Sequence, residues 1–401
     1  MKDYPRLPLG SLVKIVRGIS YKSSQLADGE VGVAMVNLRN VGKGGGFRTD
    51  GLKRYTGEYK PSQVLEPGDL ILANTDLSKA KDVLGSTFLI PQTLSGAVLS
   101  LDLSKLVPDE SVISKRFLNY YLHSPEARSF MKVHGQGITV MHLRMSALPS
   151  LEVPVPPLDE QKRIVEALDD HLSRLDKALA EIQSAIAKAT TYWHSMLQSL
   201  LFSDESGNLA STVELGSLAE LVMGQAPAGS DCNKNGVGTP FVKVGEFGAS
   251  SPEIREWTTK PLKMAQSSDV LICVVGATIG KLNLGIDCAI GRSVAAIRPG
   301  LKLRQKYLFY FLQTKVLEIR ASSKGSAQGV ITRQQLLEMP IPDLSLASQD
   351  RVIQSLETAR SSLDNALSDL NKVSSSISTL RRSVLNSAFT GELFTSGIET
   401  Q

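Results

Sequence analysis

The chain has 401 residues, 44 Lys and Arg against 40 Asp and Glu, and a formal net charge of +4 at pH 7. This length exceeds the size at which one hydrophobic core usually stops growing, so we expect more than one domain. No window reaches the run of about 20 apolar residues that a membrane-spanning helix needs, and the first residues do not resemble a signal peptide. We therefore expect a cytoplasmic protein.

The three cysteines are widely spaced, which argues against a disulfide framework or a metal site built on a CxxC pair. We expect Cys232, Cys273 and Cys288 to be small hydrophobic residues of the core.

The sequence repeats itself in order along the whole chain. Leu9–Leu12 matches Leu215–Leu218 at an offset of 206 residues, and Phe117–Leu122 matches Tyr307–Leu312 at an offset of 190. Intervening matches keep the same order while the loops shorten. A repeat this long indicates a duplicated domain, since solenoid units are roughly 20 to 50 residues long.

Within each copy, short β-branched runs alternate with Gly-rich turns, which predicts strands. The clearest runs are Val31–Val36, Leu70–Leu72, Ala97–Leu101 and Val270–Val275. Each copy then has an amphipathic aromatic segment, at 115–131 and at 305–319, for which we predict one helix. The fold class expected is therefore α+β, present twice.

A long helix is predicted after each copy. Pro154–Pro157 blocks extension backwards, and Asp159 can cap the first helix. Apolar residues then recur in alternating steps of four and three, the heptad pattern of a coiled coil. The residues predicted to pack helix on helix are Leu168, Leu172, Leu175, Leu179, Ile182 and Ile186 in the first helix, and Leu363, Leu370, Ile377 and Leu380 in the second.

These elements predict globular domains at 1–155 and 204–343, long helices at 156–203 and 344–394, and a tail at 395–401. If a pseudo-two-fold axis relates the copies, the two helices run antiparallel. About 40 helical residues at 1.5 Å each span roughly 60 Å, enough for a rigid spacer.

Charge is distributed unevenly among these segments. Residues 1–155 carry 19 Lys and Arg against 14 Asp and Glu, and residues 211–343 carry 15 against 11. The helical segments 156–210 and 344–401 carry 5 against 9 and 5 against 6. Basic globular domains on neutral or acidic helices favour localised contact with phosphates, although a solvated basic surface would have the same composition.

Several motifs resemble the DNA sequence-specificity subunit of Type I restriction-modification systems, over essentially the entire chain. Pro154–Val165 looks like that family's entry into its first conserved helix, and Ala388–Leu393 like the exit from its second. Pro67–Asp76 and Gly276–Lys281 are similar to segments of its target recognition domains. The second copy departs from the pattern, because Ser348–Asp350 replaces Glu160–Lys162, which weakens the expected start of the second helix.

The resemblance implies that each globular domain reads one half of a split DNA site and that the helices set the gap. It also implies two docked methyltransferase subunits and, in some complexes, restriction (translocase/nuclease) subunits. No cofactor is expected on this chain. S-adenosylmethionine, and ATP with Mg²⁺ where a restriction subunit is present, would be bound by those partners.

Motifs for catalysis are missing from the sequence. No Asn/Asp-Pro-Pro-aromatic methyltransferase motif occurs, and the Gly276–Lys281 loop has the wrong spacing for a phosphate loop, with Leu282 where Ser or Thr would bind magnesium. The Glu160 and Lys162 pair is interpreted as helix-surface charge. The five histidines show no metal spacing. We expect no catalytic and no metal-binding residue.

Reading bases and binding phosphates needs Arg, Lys, Asn, Gln and hydroxyl donors on loops. For each residue an ordinary loop role is the alternative, and as a set they predict the DNA surface. The candidates in the first copy are Lys22, Arg39, Asn40, Lys43, Arg48, Asn74, Thr75, Asp76, Lys79, Lys81, Gly135, Gln136 and Arg144. Those in the second copy are Lys243, Thr278, Lys281, Arg292, Lys324, Gly325, Gln328 and Arg333.

The chain is thus interpreted as a non-catalytic, double-stranded DNA-binding and assembly subunit, cytoplasmic and associated with the nucleoid. Two other classes stay open: an enzyme acting on DNA through unfamiliar motifs, and a coiled-coil scaffold whose duplicated domains bind proteins.

Overall fold

The computed structural model describes residues 4–27, 31–42, 45–77, 82–323 and 330–390. The chain divides into two compact units, unit 1 with residues 1–182 and 372–401 and unit 2 with residues 183–371. Each unit therefore contains one globular copy of the repeat and a part of both long helices.

Unit 1 contains the strands and short helices of the first copy. They are β1 (Arg6–Pro8), α1 (Leu9–Leu12), β2 (Val13–Arg17), β3 (Leu26–Ala27), β4 (Val33–Val36), β5 (Lys53–Tyr55), β6 (Val64–Leu65), β7 (Leu70–Ala73), β8 (Thr75–Asp76), β9 (Thr87–Leu89), β10 (Ala97–Leu99), β11 (Leu103–Pro108), α2 (Lys115–Leu122), α3 (Pro125–Val133), β12 (Gly135–Gln136), β13 (Met141–Leu143) and β14 (Glu152–Pro154).

The first long helix, α4, spans Leu158–Phe202 and continues into unit 2. Unit 2 then forms β15 (Thr212–Glu214), α5 (Leu215–Leu218), β16 (Ala219–Met223), β17 (Cys232–Asn233), β18 (Thr239–Val242), β19 (Trp257–Thr258), β20 (Met264–Ala265), β21 (Val270–Cys273), β22 (Leu282–Leu284), β23 (Cys288–Ile290), β24 (Val294–Pro299), α6 (Gln305–Ser323), α7 (Arg333–Leu337) and β25 (Pro340–Pro342). The second long helix, α8, spans Leu346–Phe389 and ends in unit 1.

The two larger sheets of unit 1 recur in unit 2 with the same strand order. The order β2-β11-β7-β9 in unit 1 matches β16-β24-β21-β22 in unit 2, and β3-β5-β4-β10-β6 matches β17-β19-β18-β23-β20. In the second pair of sheets, β4 and β10 are parallel, as are β18 and β23. The α+β fold class and the domain duplication are therefore confirmed.

A matched ion pair braces the first of these sheets in each unit. The Asp69 carboxylate lies 2.6 Å from the Lys105 ammonium in unit 1, and the buried Asp269 carboxylate bonds Arg298 at 2.9 and 3.0 Å in unit 2. Each carboxylate also accepts the main-chain N–H three residues earlier, at 2.8 Å. One aspartate thus fixes a tight turn and ties it to the neighbouring strand.

The aromatic segment of the first copy forms two helices, where the sequence pattern predicted one. Ser124 caps the second of them through its hydroxyl, and Pro125 occupies the first turn. Proline has no N–H to continue the preceding helix, and its ring clashes with the preceding turn. The second copy has Lys315 at the matching place, and α6 is continuous.

The long helices are antiparallel, because the start of α4 and the end of α8 share unit 1 while their other parts share unit 2. In unit 1, Leu168 and Leu172 of α4 belong to one core with Leu385 and Ala388 of α8. In unit 2, Leu197 and Leu201 share a core with Leu356.

The heptad residues predicted for α4 are buried or half-buried, as are Leu363, Leu370 and Ile377 of α8. Leu380 departs from the prediction, since the residue is 50% exposed. Along α8, the half-buried residues that alternate with Leu363, Leu370 and Ile377 are Leu367, Ser374 and Arg381. The apolar periodicity predicts which face of the helix is buried. Which residues at the edges of that face are buried depends on how the partner helix packs against it.

The helix starts differ from the predictions in their details. Helix α4 begins at Leu158, so Asp159 lies inside the first turn and does not cap it. Glu160 is 7% exposed, accepts the Tyr4 hydroxyl at 3.1 Å and pairs with Arg163 at 3.1 Å, so it is a buried anchor and not surface charge.

The start of α8 is as well formed as that of α4, contrary to the weakening expected from Ser348–Asp350. The Ser345 hydroxyl accepts the N–H of Ser348 at 3.1 Å, and Gln349 bonds as its counterpart Gln161 does. Glu205, from the segment that follows α4, pairs with Arg351 and accepts the hydroxyl of Ser348 at 2.5 Å. Glu205 thus provides, at the start of α8, the carboxylate that Glu160 provides at the start of α4.

Candidate nucleic-acid interface

Two loop regions that were predicted separately meet in unit 1. Strand β13 pairs with β12 on one side and with β8 on the other, in the order β12-β13-β8. The N–H of Leu143 donates to the Asn74 carbonyl at 2.7 Å, and the N–H of Arg144 donates to the His134 carbonyl at 2.9 Å. Residues 134–144 therefore form a hairpin, called here the β12–β13 hairpin, that is tied to the end of the buried strand β7.

Three predicted DNA contacts in this region are buried and serve the fold. Asp76 is 0% exposed and accepts the N–H groups of Val83 and Leu84 at 2.8 and 2.9 Å. Asn74 donates to Ser104, and Thr75 lies 3.2 Å from a ring nitrogen of His142. These side chains are buried and bonded within unit 1, so their assignment as DNA contacts is corrected.

The exposed side of the hairpin carries the donors that suit base recognition. Gln136 and Arg144 are exposed, and with the Gln136 amide oxygen facing the guanidinium the two bond at 3.2 Å. Gly135 has a packing role instead of approaching phosphate, because a Cβ there would lie 2.7 Å from the Leu84 side chain.

Sequence reasoning did not consider His142 for the DNA surface, because histidines were weighed only for metal binding and catalysis. It is exposed between the buried residues Met141 and Leu143, and Arg144 is exposed beyond them. Strict alternation in a strand places His142 and Arg144 on one face. That alternation was the signal that could have found it.

The segments that flank the Gly-rich stretch of unit 1 contain exposed cations and one buried amide. Lys22, Arg39 and Arg48 are exposed, and Arg48 pairs with Asp50 at 2.7 Å. Asn40 is 0% exposed, and its amide donates to the carbonyls of Arg48 and Asp50 at 3.0 and 3.1 Å. Asn40 therefore holds the loop and is removed from the contact set.

In unit 2 the matching regions also meet, through a bridge between Val275 and Val330. Thr278 is exposed, with its hydroxyl 3.2 Å from the Cys273 sulfur. The Lys281 ammonium donates to the Phe247 carbonyl at 2.7 Å, and the Arg333 guanidinium donates to the Leu221 carbonyl at 2.7 Å. These cations are positioned by the main chain.

Lys243 and Arg292 are the other candidates of unit 2, and they differ in their contacts within the domain. Lys243 pairs with Glu256 and lies over the Phe241 ring at 5.6 Å, and its hydrogen bond to Glu256 raises the pKa of its ammonium. Its charge is largely neutralised within the domain. Arg292 is exposed beside β24.

The remaining candidates, Lys43, Lys79, Lys81, Lys324, Gly325 and Gln328, lie outside the described residues, as do the tail 395–401 and the end of the Ala388–Leu393 motif.

The described ranges contain no group of three His, Cys, Asp or Glu residues that could hold a metal ion. Gly276–Thr278 forms a 3-10 turn, and Leu282 begins β22 as a buried strand residue. Cys273 and Cys288 are buried as predicted, whereas Cys232 is half-buried. Burial raises the pKa of the Cys288 thiol to about 12. In the same described part of the chain, every helix is too short or too polar to cross a bilayer.

Fold and surface together define a class of protein: a duplicated α+β domain with loop donors grouped at the end of a central strand, carried on paired long helices. The family profile described as "Type I restriction modification DNA specificity domain" matches residues 1–186 and 210–369. The chain belongs to this family.

Relatives and solved structures agree with this assignment. The chain is 23% identical to the EcoBI Type I restriction enzyme specificity subunit of Escherichia coli, over 97% of this chain and 86% of that one. It is 24% identical to the MjaVIII specificity subunit of Methanocaldococcus jannaschii, over 74% of each.

Its fold matches a chain from a structural study of complex assembly and conformational transition of the type I R-M system, with a TM-score of 0.79, 23% identity and coverage of 98% and 99%. It also matches the HsdS subunit from Thermoanaerobacter tengcongensis, with a TM-score of 0.54, 22% identity and 97% coverage of both.

Proposed function

We propose that this chain directs a Type I restriction-modification complex to a bipartite DNA site, with each globular domain contacting one half-site. The observation that carries the proposal is the duplication: the two larger sheets have the same strand order in both units, and in each unit the loop after the central strand pairs with a second loop. A protein that reads two different sequences needs a common framework with different exposed donors. The donors do differ, with Gln136 and Arg144 in unit 1 and Thr278 and Arg292 in unit 2.

The long helices are proposed to set the gap between half-sites and to dock two methyltransferase subunits, with restriction subunits joining where present. Matched geometry at the two helix starts supports equivalent docking. Gln161 accepts one N–H and donates to two carbonyls, and Gln349 repeats the same set of bonds. Docking at one end only is the outcome that would count against this equivalence.

Methyl transfer is proposed to occur in the partner, at adenine N6, with S-adenosylmethionine bound there. ATP and Mg²⁺ would be used by a restriction subunit. This chain then acts without catalysing a reaction, in the cytoplasm and bound to the nucleoid. The purified chain, incubated alone with DNA and either cofactor, should neither methylate nor cleave; turnover by clean protein would refute this assignment.

Genome-wide mapping of methylated adenines tests the proposal directly. Cells that make this chain together with its methyltransferase are compared with cells that lack only this chain. A split motif with a fixed gap that disappears on deletion is the expected result. An unchanged methylome would contradict the proposal.

The protein-binding scaffold is separated from this function by salt dependence. Phosphate contacts release counterions, so DNA affinity of the assembled complex should fall steeply as salt rises from about 50 to 200 mM. Affinity that does not respond to salt would favour the scaffold.

A further inference from the structure

The turn of the β12–β13 hairpin stands in solvent. Ile138 at its tip is 102% exposed, and its neighbours Gly137 and Thr139 are exposed as well. Gly137 has a φ of +115°, and a Cβ there would lie 2.0 Å from the Val140 carbonyl oxygen. Glycine is therefore required for this tight turn, which places a large apolar side chain outside any core.

Behind the tip, the hairpin is held by its neighbours and has one apolar and one polar face. Met141 and Leu143 point into the core of unit 1 and are 3% and 4% exposed. The opposite face carries His142, directly across from Gln136 in the ladder, and Arg144. A third strand, β8, pairs with β13 and fixes its position.

The polar side chains on that face are oriented by neighbours. The Nδ1 atom of His142 lies 3.2 Å from the Thr75 hydroxyl, which leaves Nε2 as the ring nitrogen available to a ligand. With its amide oxygen turned towards the guanidinium, Gln136 accepts a hydrogen bond from Arg144 at 3.2 Å. Amide, imidazole and guanidinium groups that are held in place before binding lose little rotamer freedom on contact.

A two-stranded β-ribbon fits the DNA major groove, where Arg pairs with guanine, Gln with adenine, and apolar side chains contact the thymine methyl group. We propose that the β12–β13 hairpin enters the major groove as the base-reading element of unit 1, with His142 and Arg144 on base edges and Ile138 against a thymine methyl. This inference rests on the proposed function and deepens it.

Charge beside the hairpin fits a phosphate backbone. Lys132 is exposed in the last turn of α3, immediately before the hairpin. Arg128, one turn earlier, donates to the carbonyls of Leu84 and Asp82 at 2.6 and 3.0 Å, so its guanidinium holds the fold. A phosphate contact from Lys132 would fix the register of the hairpin without reading sequence.

The test maps the methylome of cells that carry Arg144→Ala, His142→Ala or Ile138→Ala in the full chain with its partners. Leu301→Ala is the matched control, because Leu301 is 99% exposed but lies in a turn of unit 2. Each hairpin variant should relax one half of the bipartite motif and leave the other half and the gap unchanged. The control should leave both halves unchanged.

Binding by the purified complex adds a quantitative readout. Arg144→Ala should lower discrimination at one base pair by roughly 10- to 100-fold, with a similar salt slope. Replacing a single thymine by uracil in the first half-site removes one methyl group. That change should weaken the unaltered complex and should have no effect on Ile138→Ala.

The outcomes separate this inference from the proposed function. A bipartite motif that is unchanged in all three hairpin variants keeps the proposed function and overturns the hairpin assignment. Equal loss of methylation at every site, with less methyltransferase co-purifying, makes the hairpin a protein-docking element and also overturns it. The absence of any chain-dependent motif, even without substitutions, is instead a failure of the proposed function.

Discussion

Replacing the buried glutamine at the start of either long helix should loosen that helix start by several kcal/mol. Gln161 is 0% exposed, accepts the N–H of Ser114 at 2.9 Å and donates to the carbonyls of Val112 and Pro156, both at 2.9 Å. Gln161→Leu keeps the side chain's approximate size and removes all three bonds.

The expected magnitude follows from the groups left behind. One N–H and two carbonyls lose their partners, at about 1–3 kcal/mol for each buried group. Water entering at the helix end and the gain from burying leucine offset part of this cost. We therefore expect local opening to become easier by about 2–4 kcal/mol. Gln349→Leu should have an effect of the same size, because Gln349 is 1% exposed and makes the same bonds to the N–H of Arg304 and to two carbonyls.

Hydrogen exchange measured peptide by peptide is the appropriate assay, since one global unfolding free energy is poorly defined for a chain of two units. Faster exchange is expected at residues 112–116 in the first variant and 302–306 in the second. Gln198→Leu, at an exposed position of the same helix α4, is the control. A change below about 0.5 kcal/mol in both glutamine variants would refute the reasoning.

Three further predictions concern stability. Asp269→Asn should make local opening of unit 2 easier by about 2 kcal/mol in the same hydrogen-exchange assay, since it leaves the half-buried Arg298 without its charge partner; unchanged exchange around residues 266–273 would contradict this. Burial lowers the pKa of His123 to about 4, so stability should be fully present above about pH 6.5 and should decline as pH falls towards 4. A shift of this size corresponds to a loss of about 2 kcal/mol between pH 7.5 and 5, and because the residue as a whole is only half-buried, we expect about 1 kcal/mol; His123→Gln should remove this dependence. Phe389→Ala should cost about 2–3 kcal/mol, because Phe389 contacts the Tyr121 ring edge-on at 5.3 Å; melting at the wild-type temperature would exclude that role.

Much of the fold could be predicted because duplication makes each half a check on the other. Strands such as Val270–Cys273 and helices such as Leu158–Phe202 lie within about two residues of their predicted limits. Buried runs and heptads are local signals that tertiary contacts reinforce. The helix break at Pro125 was also readable from Ser124 and Pro125, and was missed because amphipathic periodicity continues across it.

The candidate site was less predictable, because exposure depends on distant parts of the chain. Asn74 and Asp76 follow a strand and are polar, as a DNA contact would be. They are buried because other parts of the chain engage them: the Asn74 amide donates to Ser104, and the Asp76 carboxylate accepts the N–H groups of Val83 and Leu84. A one-dimensional pattern gives the chemistry of a loop but not which of its side chains face solvent. For that reason the sequence predicted both Arg144 and Asp76 as DNA contacts, whereas in the structure Arg144 is exposed and Asp76 is buried.

The division between buried and exposed polar residues also bears on how recognition can change. Part of the buried polar set is shared by the two copies, with Asp69 matching Asp269 and Gln161 matching Gln349, and substitutions there cost stability. Exposed side chains such as Arg144 carry little of that cost, since surface substitutions usually change stability by about 0.5 kcal/mol or less. Under the proposed function, each domain can therefore acquire a new half-site by changing its exposed face alone. The two half-sites should then vary independently, while the helices keep the gap between them constant.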